Sequence, residues 1–191
     1  MNNKYLINIR TSALISYFEN GYEYTQVIEG ENIFIVPQSP DEIVKTSFLH
    51  IGSTVEGAIE SARLILKKKY MLPIGLSTSH NIFLIRCHAR RKSETVWLVN
   101  SHIADVTPDP TDAKKTIVHT KHGHSLTIDI KLSLLQDKRG QASFLYNVLL
   151  ERSPMKCSMT FLYEKDKGIH FVKGPERLNY TISREEKNNK E

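Results

Sequence analysis

The pair Asn20-Gly21 constrains the fold of this 191-residue chain more than any other local feature. It lies between ALISYFE and YEYTQVIE, two runs that are rich in aromatic and β-branched residues. Both central residues of a type I′ turn need a positive φ, which asparagine and glycine adopt more readily than other residues. The sequence therefore predicts an antiparallel hairpin here. NIFIV, which is followed by Pro37 and Pro40, predicts one more strand.

Two helices are predicted further along the chain. The first covers residues 53–69, where Ser53 and Glu56 form a possible capping box and apolar residues recur at helical spacing. The second begins near Ser133, with Gln136 three residues later as its capping partner. Pro73 prevents the first helix from continuing.

Most of the other segments are predicted to be strands. They are MNNKYLINIR, NIFLIRC (81–87), TVWLVN (95–100), the pair TIVHTK and HSLTIDI around His122-Gly123, and the hairpin TFLYEKDKGIHFV. The segment 106–114 is predicted to be a surface loop. Because strands and helices are grouped rather than alternating, we predict an α+β fold with a mainly antiparallel β-sheet or barrel-like core and about two helices.

Composition and length suggest an ordinary globular domain. The chain is 40% hydrophobic and 25% charged, and it contains neither a signal peptide nor an apolar run long enough to cross a bilayer. Its two cysteines, Cys87 and Cys157, cannot form a disulfide framework, so we expect reduced thiols and a cytoplasmic location. We predict one domain over 1–183 and a disordered polar tail over 184–191.

The positive charge of the chain is concentrated in one segment. The net charge is +5, yet residues 1–60 sum to −5, and residues 61–93 carry eight Lys and Arg and no carboxylate. Within that segment, RCHARRK (86–92) lies between two predicted strands, where a guanidinium could reach a DNA groove. A carboxylate-free basic tract is typical of a protein that binds a phosphate backbone.

Three other chemistries receive less support. Cys87 and His88 point to opposite faces of a strand, so they cannot form a nucleophile–base pair. His119, His122 and His124 in HTKHGH could bind zinc, alone or with Cys87, but no second ligand cluster accompanies them. Gly52-Ser53-Thr54 could bind an anion at a helix start, although simple N-capping explains these residues as well. We therefore expect no catalytic activity, no metal and no cofactor.

The order of elements from Ser47 onward resembles the ComK family of competence transcription factors. The residues that carry this resemblance, over roughly 45–150, are Phe48, Gly52-Ser53-Thr54, Gly57, Pro73-Ile74, Asn81-Ile82-Phe83, Trp97, His102-Ile103, Lys121-His122-Gly123, Leu126 and Ile130 to Gln136. Arg86-Cys87-His88 replaces the family's Phe-Pro-Thr, and Leu72 replaces one of its prolines. The chain therefore resembles a divergent or paralogous member. A smaller part, IRCHARRKSETVWLVNSHIADV with TIVHTKHGHSLTIDI, is similar to LytTR-type DNA-binding domains.

The resemblance implies a transcription activator of competence (DNA-uptake) genes. It implies binding to paired AT-rich promoter boxes, largely through the minor groove, by dimers that assemble into tetramers. It also implies an adaptor that delivers the protein to a Clp protease. The predicted DNA contacts are Arg86, His88, Arg90, Arg91, Lys92, then Lys67, Lys68, Lys69, and more weakly Lys131, Lys138, Arg139.

Two other functions remain open at this point. The chain could be a protein-interaction module that hetero-oligomerises with a related competence regulator and modulates it without strong DNA binding. A metal-dependent enzyme built on the histidine hairpin is the second. RNA binding has no support, because no aromatic-rich K/R-G-F-G-F strand is present.

Overall fold

The structure is a computed structural model that describes residues 4–88, 95–152, 159–164, 168–173 and 176–177. The chain divides into two compact units, Met1–Leu150 and Glu151–Glu191. The first unit contains the residues that the sequence singles out for function.

A six-stranded antiparallel sheet forms the centre of the first unit, in the order β3-β2-β1-β6-β5-β4. Its strands are β1 (Thr11–Glu19), β2 (Tyr22–Glu29), β3 (Asn32–Val36), β4 (Ile74–Ser77), β5 (Ile82–His88) and β6 (Thr95–Val99). Asn20 and Gly21 have φ values of 50° and 80° and join β1 to β2, which confirms the predicted hairpin. The sheet has free edges at β3 and β4, so the core is an open sheet and not a closed barrel.

Helix α1 (Pro40–His50) covers one face of this sheet. Its apolar residues Ile43, Val44 and Phe48 are buried in the same cluster as Leu14 and Trp97. Side chains on a strand alternate between faces, so the neighbours of Leu14 and Trp97 along β1 and β6 point to the other side of the sheet.

The opposite face is covered by a second layer. This layer consists of α3 (Leu132–Arg152) and an antiparallel sheet of β7 (Ile103–Pro108), β8 (Thr116–Thr120) and β9 (Ser125–Ile128). Helix α2 (Val55–Leu66) packs on β4. It supplies Ile59 to the hydrophobic cluster beneath α1, the first cluster, and Ala62 to the hydrophobic cluster on the opposite face, the second cluster. It therefore lies along the β4 edge of the central sheet.

The α+β class and the mainly antiparallel sheet are confirmed, but the described residues contain three helices rather than two. Helix α1 was not predicted, because Pro37 and Pro40 after NIFIV are typical of the end of a strand. Pro40 is instead at the start of the helix, where a missing N–H is harmless, and Ser39 Oγ accepts a hydrogen bond from Glu42 N at 3.2 Å. The strands β4 and β7 were also not predicted, and β7 takes up part of the predicted 106–114 loop.

Two further expectations about local structure are wrong. The α2 cap is Thr54 and not Ser53, since Thr54 Oγ1 accepts a hydrogen bond from Gly57 N at 3.1 Å. Residues 4–10 contain no strand, although MNNKYLINIR was predicted to form one. Their backbone amides donate to side chains instead: Tyr5 N to Gln38 Oε1 at 2.7 Å and Ile7 N to Ser47 Oγ at 3.0 Å.

The second unit contains the predicted hairpin TFLYEKDKGIHFV. It is formed by β10 (Met159–Glu164) and β11 (Gly168–Lys173), which pair antiparallel, and β12 (Glu176–Arg177) adds a third strand. Residues 184–191 lie outside the described residues, so the disordered tail and the single domain over 1–183 stay predictions. Across the described parts of both units, the structure has no helix with the length and apolar character that a bilayer crossing requires.

We expect Ser47→Ala to destabilise the first unit by about 1–3 kcal/mol, because it leaves a buried amide without a partner. Ser47 is buried, accepts a hydrogen bond from Ile7 N and donates one to Ile43 O at 2.8 Å. Urea unfolding measures the change in free energy. Ser53→Ala is the matched control, because Ser53 is exposed and surface changes of this kind usually stay within about 0.5 kcal/mol. Equal effects of the two substitutions would contradict the role of Ser47.

Candidate nucleic-acid interface

The hairpin β5–β6 carries the segment RCHARRK. Arg86 lies opposite Trp97 and His88 lies opposite Thr95 in the antiparallel register. Arg86 and His88 are two positions apart on β5. The predicted contacts Arg90, Arg91 and Lys92 fall in the connector 89–94, which lies outside the described residues.

Arg86 is held by two partners. Its guanidinium donates a hydrogen bond to the Asp41 carboxylate and lies over the Trp97 ring, 5.5 Å from the ring centroid. Trp97 Nε1 donates to the other carboxylate oxygen of Asp41 at 2.7 Å. The Arg86 side chain is only 35% exposed, so much of its charge is matched by Asp41 and its position is fixed.

This group of three side chains was not predicted from the sequence. Asp41 is 45 positions away from Arg86 in the chain, and it belongs to the helix that was not predicted. The available signal was Ser39-Pro40-Asp41-Glu42, which combines a capping serine with a proline and two acidic residues at a helix start.

The three predicted lysines follow the end of α2. Lys67 ends the helix in a left-handed conformation with a φ of 53°, and its amide donates to Arg63 O at 3.0 Å. Lys68 Nζ forms an ion pair with Asp137 Oδ2 at 3.3 Å. Lys69 lines the same cleft as Arg86. Lys67 and Lys69 are exposed and form no ion pair with any other described residue.

The three predicted contacts near α3 have different environments. Lys138 is only 2% exposed, and its ammonium group donates to the carbonyl oxygen of Arg86 at 2.6 Å. Burial lowers the pKa of Lys138, although the neighbouring Cys87 partly offsets this effect. Arg139 is half-buried, and Nη2 donates to Ile103 O at 3.3 Å. Lys131 is exposed just before the helix begins. Lys138 therefore supports the β5 backbone from inside and presents no charge to solvent.

A cleft of about 430 Å³ brings part of the basic tract together. Lys69, Arg86 and Lys45 line it, together with Tyr70 and Trp97. The tract has no carboxylates in sequence, but in the fold three of its described cations have carboxylate partners: Arg63 with Glu60, Lys68 with Asp137 and Arg86 with Asp41. Lys69 and Arg86 of the tract thus share one cleft, where the charge of Arg86 is partly neutralised by Asp41.

The three histidines of the hairpin have different partners. His119 is hydrogen-bonded to Thr107 and Ser125, whereas His124 Nε2 is hydrogen-bonded to Gly30 O at 3.1 Å. His122 instead lies against His102, with ring centroids 5.4 Å apart. Over the ranges that the structure describes, no three His, Cys, Asp or Glu side chains converge as metal ligands would.

The segment Gly52-Ser53-Thr54 serves the turn between two helices. Ser53 N donates to Phe48 O at 2.9 Å, and Thr54 caps α2 through its side chain. Gly52 has a φ of 72°, which glycine adopts without strain. Helix termination and capping account for all three residues.

Cys87 is buried inside the second cluster, where burial raises the pKa of its thiol to about 11. A nucleophilic cysteine needs the thiolate form, so this environment opposes catalysis at neutral pH. Because the folded-state pKa lies above the ordinary value of 9.0, the thiol favours the folded state below pH 9.0, and this contribution is lost as the pH rises toward 11.

We expect Cys87 to resist thiol reagents in the native protein. In a Cys157→Ser variant, an aromatic disulfide reagent at mildly alkaline pH should react slowly with the folded chain and completely in denaturant. The rate of thiolate release measures this difference. Equal rates in the two conditions would show that Cys87 is accessible and ionised.

The chain was also compared with known proteins. The family model described as ComK protein matches residues 2–153, which is more than half of the chain. No curated protein and no solved structure matches the chain. The family match confirms the resemblance over 45–150 and extends it to the amino-terminal strands. The chain belongs to the ComK family of competence transcription factors.

Proposed function

We propose that this protein is a sequence-specific regulator of competence genes that binds AT-rich promoter boxes mainly through the minor groove. One observation carries the proposal: the connector with Arg90, Arg91 and Lys92 joins two strands whose ends are fixed by side chains from both faces of the sheet. Asp41 and Trp97 hold Arg86 on one face, and Lys138 binds the Arg86 carbonyl from the other.

Rigid anchoring favours specific binding. A connector whose base is already fixed loses less conformational entropy when it binds than a free segment would. Arginine side chains sense the narrow groove and strong negative potential of A-tracts, so minor-groove binding needs no recognition helix. We assign Arg90, Arg91 and Lys92 to the groove, and His88 to the adjacent strand face.

The lysines that follow α2 are assigned to the phosphate backbone. Lys67 and Lys69 are exposed, and Lys69 lies at the same cleft as Arg86. Lys68 contacts the phosphate backbone as well if a phosphate replaces Asp137 as its partner, since exposed ion pairs of this kind are weak. Lys131 remains a peripheral candidate. Lys138 and Arg139 are left out of the proposed contacts, because Lys138 Nζ donates to Arg86 O and Arg139 Nη2 donates to Ile103 O. Arg86 is assigned to positioning the connector, because its guanidinium is paired with Asp41.

The resemblance to the family adds two kinds of protein partner to the proposal. Binding to paired boxes involves dimers or tetramers of the chain, and turnover involves an adaptor of a Clp protease. Both follow from the resemblance to the family, and the DNA contacts proposed above require neither a cofactor nor a metal.

An interaction module is the second candidate. The observation in its favour is that Arg63, Lys68 and Arg86 already have carboxylate partners, which lowers the charge available to DNA. Such a protein would hetero-oligomerise with a related competence regulator. Weak binding of the wild-type chain to AT-rich duplex, together with co-purification of that regulator, would favour this function.

We expect Arg90→Ala with Arg91→Ala to weaken binding to an AT-rich box by about 1–3 kcal/mol for each arginine that touches a base edge. The dependence of log K on log salt should also become less steep, by about 0.9 for each phosphate that the double variant no longer neutralises. Fluorescence anisotropy at several salt concentrations, with AT-rich and GC-rich duplexes, measures both quantities.

A matched control removes two positive charges elsewhere. Lys114 and Lys115 are exposed in the loop between β7 and β8, and Lys114→Ala with Lys115→Ala should reduce affinity much less. Equal reductions in the two double variants would show a general effect of net charge and would contradict the assigned contacts.

A further inference from the structure

Among the residues that the structure describes, strand β3 is an edge of the central sheet with no strand paired on its outer side. The other edge strand, β4, has α2 packed along it, whereas four of the five residues of β3 are exposed. Ile33 and Ile35 are 49% and 51% exposed. A free edge offers unpaired backbone groups to any other strand.

This edge lacks the features that usually prevent pairing. Natural edge strands carry lysine, proline, inward-pointing charge or a bulge. The sequence of β3, NIFIV, contains none of these residues, and its register against β2 runs without a shift from Asn32 to Val36. An exposed, regular and uncharged edge strand fits a function in association.

Exposed apolar side chains continue from this edge onto the neighbouring strands. Ile35 lies opposite Gln26 on β2, so it shares a face with Tyr24, two positions away along β2. Tyr24 is half-buried and lies opposite the exposed Tyr17 on β1, with ring centroids 6.5 Å apart. The edge is thus bordered by an apolar strip that spans three strands.

We propose that β3 pairs antiparallel with β3 of a second copy of this chain, about a two-fold axis at Phe34. In this register Ile33 lies opposite Ile35 of the second copy, and Asn32 lies opposite Val36. Glu31 lies opposite Pro37, so no like charges face each other. The strand is therefore complementary to itself, which is what a symmetric interface between identical chains requires.

Pairing at β3 leaves the proposed DNA contacts accessible. β5 is four strands away from β3 in the central sheet, which corresponds to roughly 19 Å at the usual strand spacing. Use of this interface by a DNA-bound dimer rests on the proposed function. The pairing itself does not, and it can be measured in the absence of DNA.

The test is sedimentation velocity of the full chain without DNA over a concentration series. The wild-type chain should self-associate, and Ile35→Lys should weaken association by about tenfold or more, because it places a charge beside the paired edge. Leu64→Lys is the matched control: Leu64 is 78% exposed on α2, and the same change there should leave association unaltered. Circular dichroism verifies that both variants are folded.

A cross-linking variant tests the register without a change of charge. In a Cys157→Ser background, Phe34→Cys should form an intermolecular disulfide under mild oxidation, because residues opposite each other on paired strands have Cβ atoms about 4.5–5.5 Å apart. Leu64→Cys is the control and should remain monomeric on non-reducing gels.

The proposal is overturned if the wild-type chain is monomeric throughout the series, if Ile35→Lys associates as the wild type does, or if Phe34→Cys cross-links no faster than Leu64→Cys. Binding of Ile35→Lys to a single AT-rich box separates the two proposals. Failure of self-association would leave this binding intact, and failure of DNA binding would leave self-association intact.

Discussion

Burial of the central sheet on both faces is the constraint on which the first unit depends. Every residue of β6 is buried, and Ile82 to Ile85 of β5 are buried as well. With apolar layers on both sides, a strand has no place for a free charge along most of its length. The charges of the basic tract therefore fall at strand ends, helix ends and connectors. Arg86 lies where β5 begins to emerge from the two layers.

Two buried or half-buried cations tie the covering layers to this strand. Arg86 reaches Asp41 of α1 on one face, and Lys138 of α3 reaches the Arg86 carbonyl from the other. Removing an ammonium from water is costly, and the short hydrogen bond to a carbonyl offsets part of that cost. The base of the β5–β6 connector is consequently held by both helices.

The sequence marks the basic connector but does not show the surroundings of the cations in the rest of the tract and on α3. Lys138 belongs to the same stripe of α3 as the buried Leu135, Ala142 and Leu145, and periodicity alone indicated that placement. Counting charge along the chain and not in space gives no sign that the ammonium group of Lys138 is buried. The ion pairs of Arg86 and Lys68 could not be predicted, since their carboxylate partners come from distant segments.

The sequence by itself determined the local elements, namely the Asn20-Gly21 hairpin, the strands around Arg86 and the helix that begins near Ser133. It also determined the antiparallel α+β class. These follow from φ preferences and from apolar periodicity, which act between near neighbours. Only the tertiary structure decided which cations remain free, that α2 lies along one edge of the sheet and that β3 is left open. Those outcomes depend on contacts between residues far apart in the chain, and no pattern within a short window of sequence contains them.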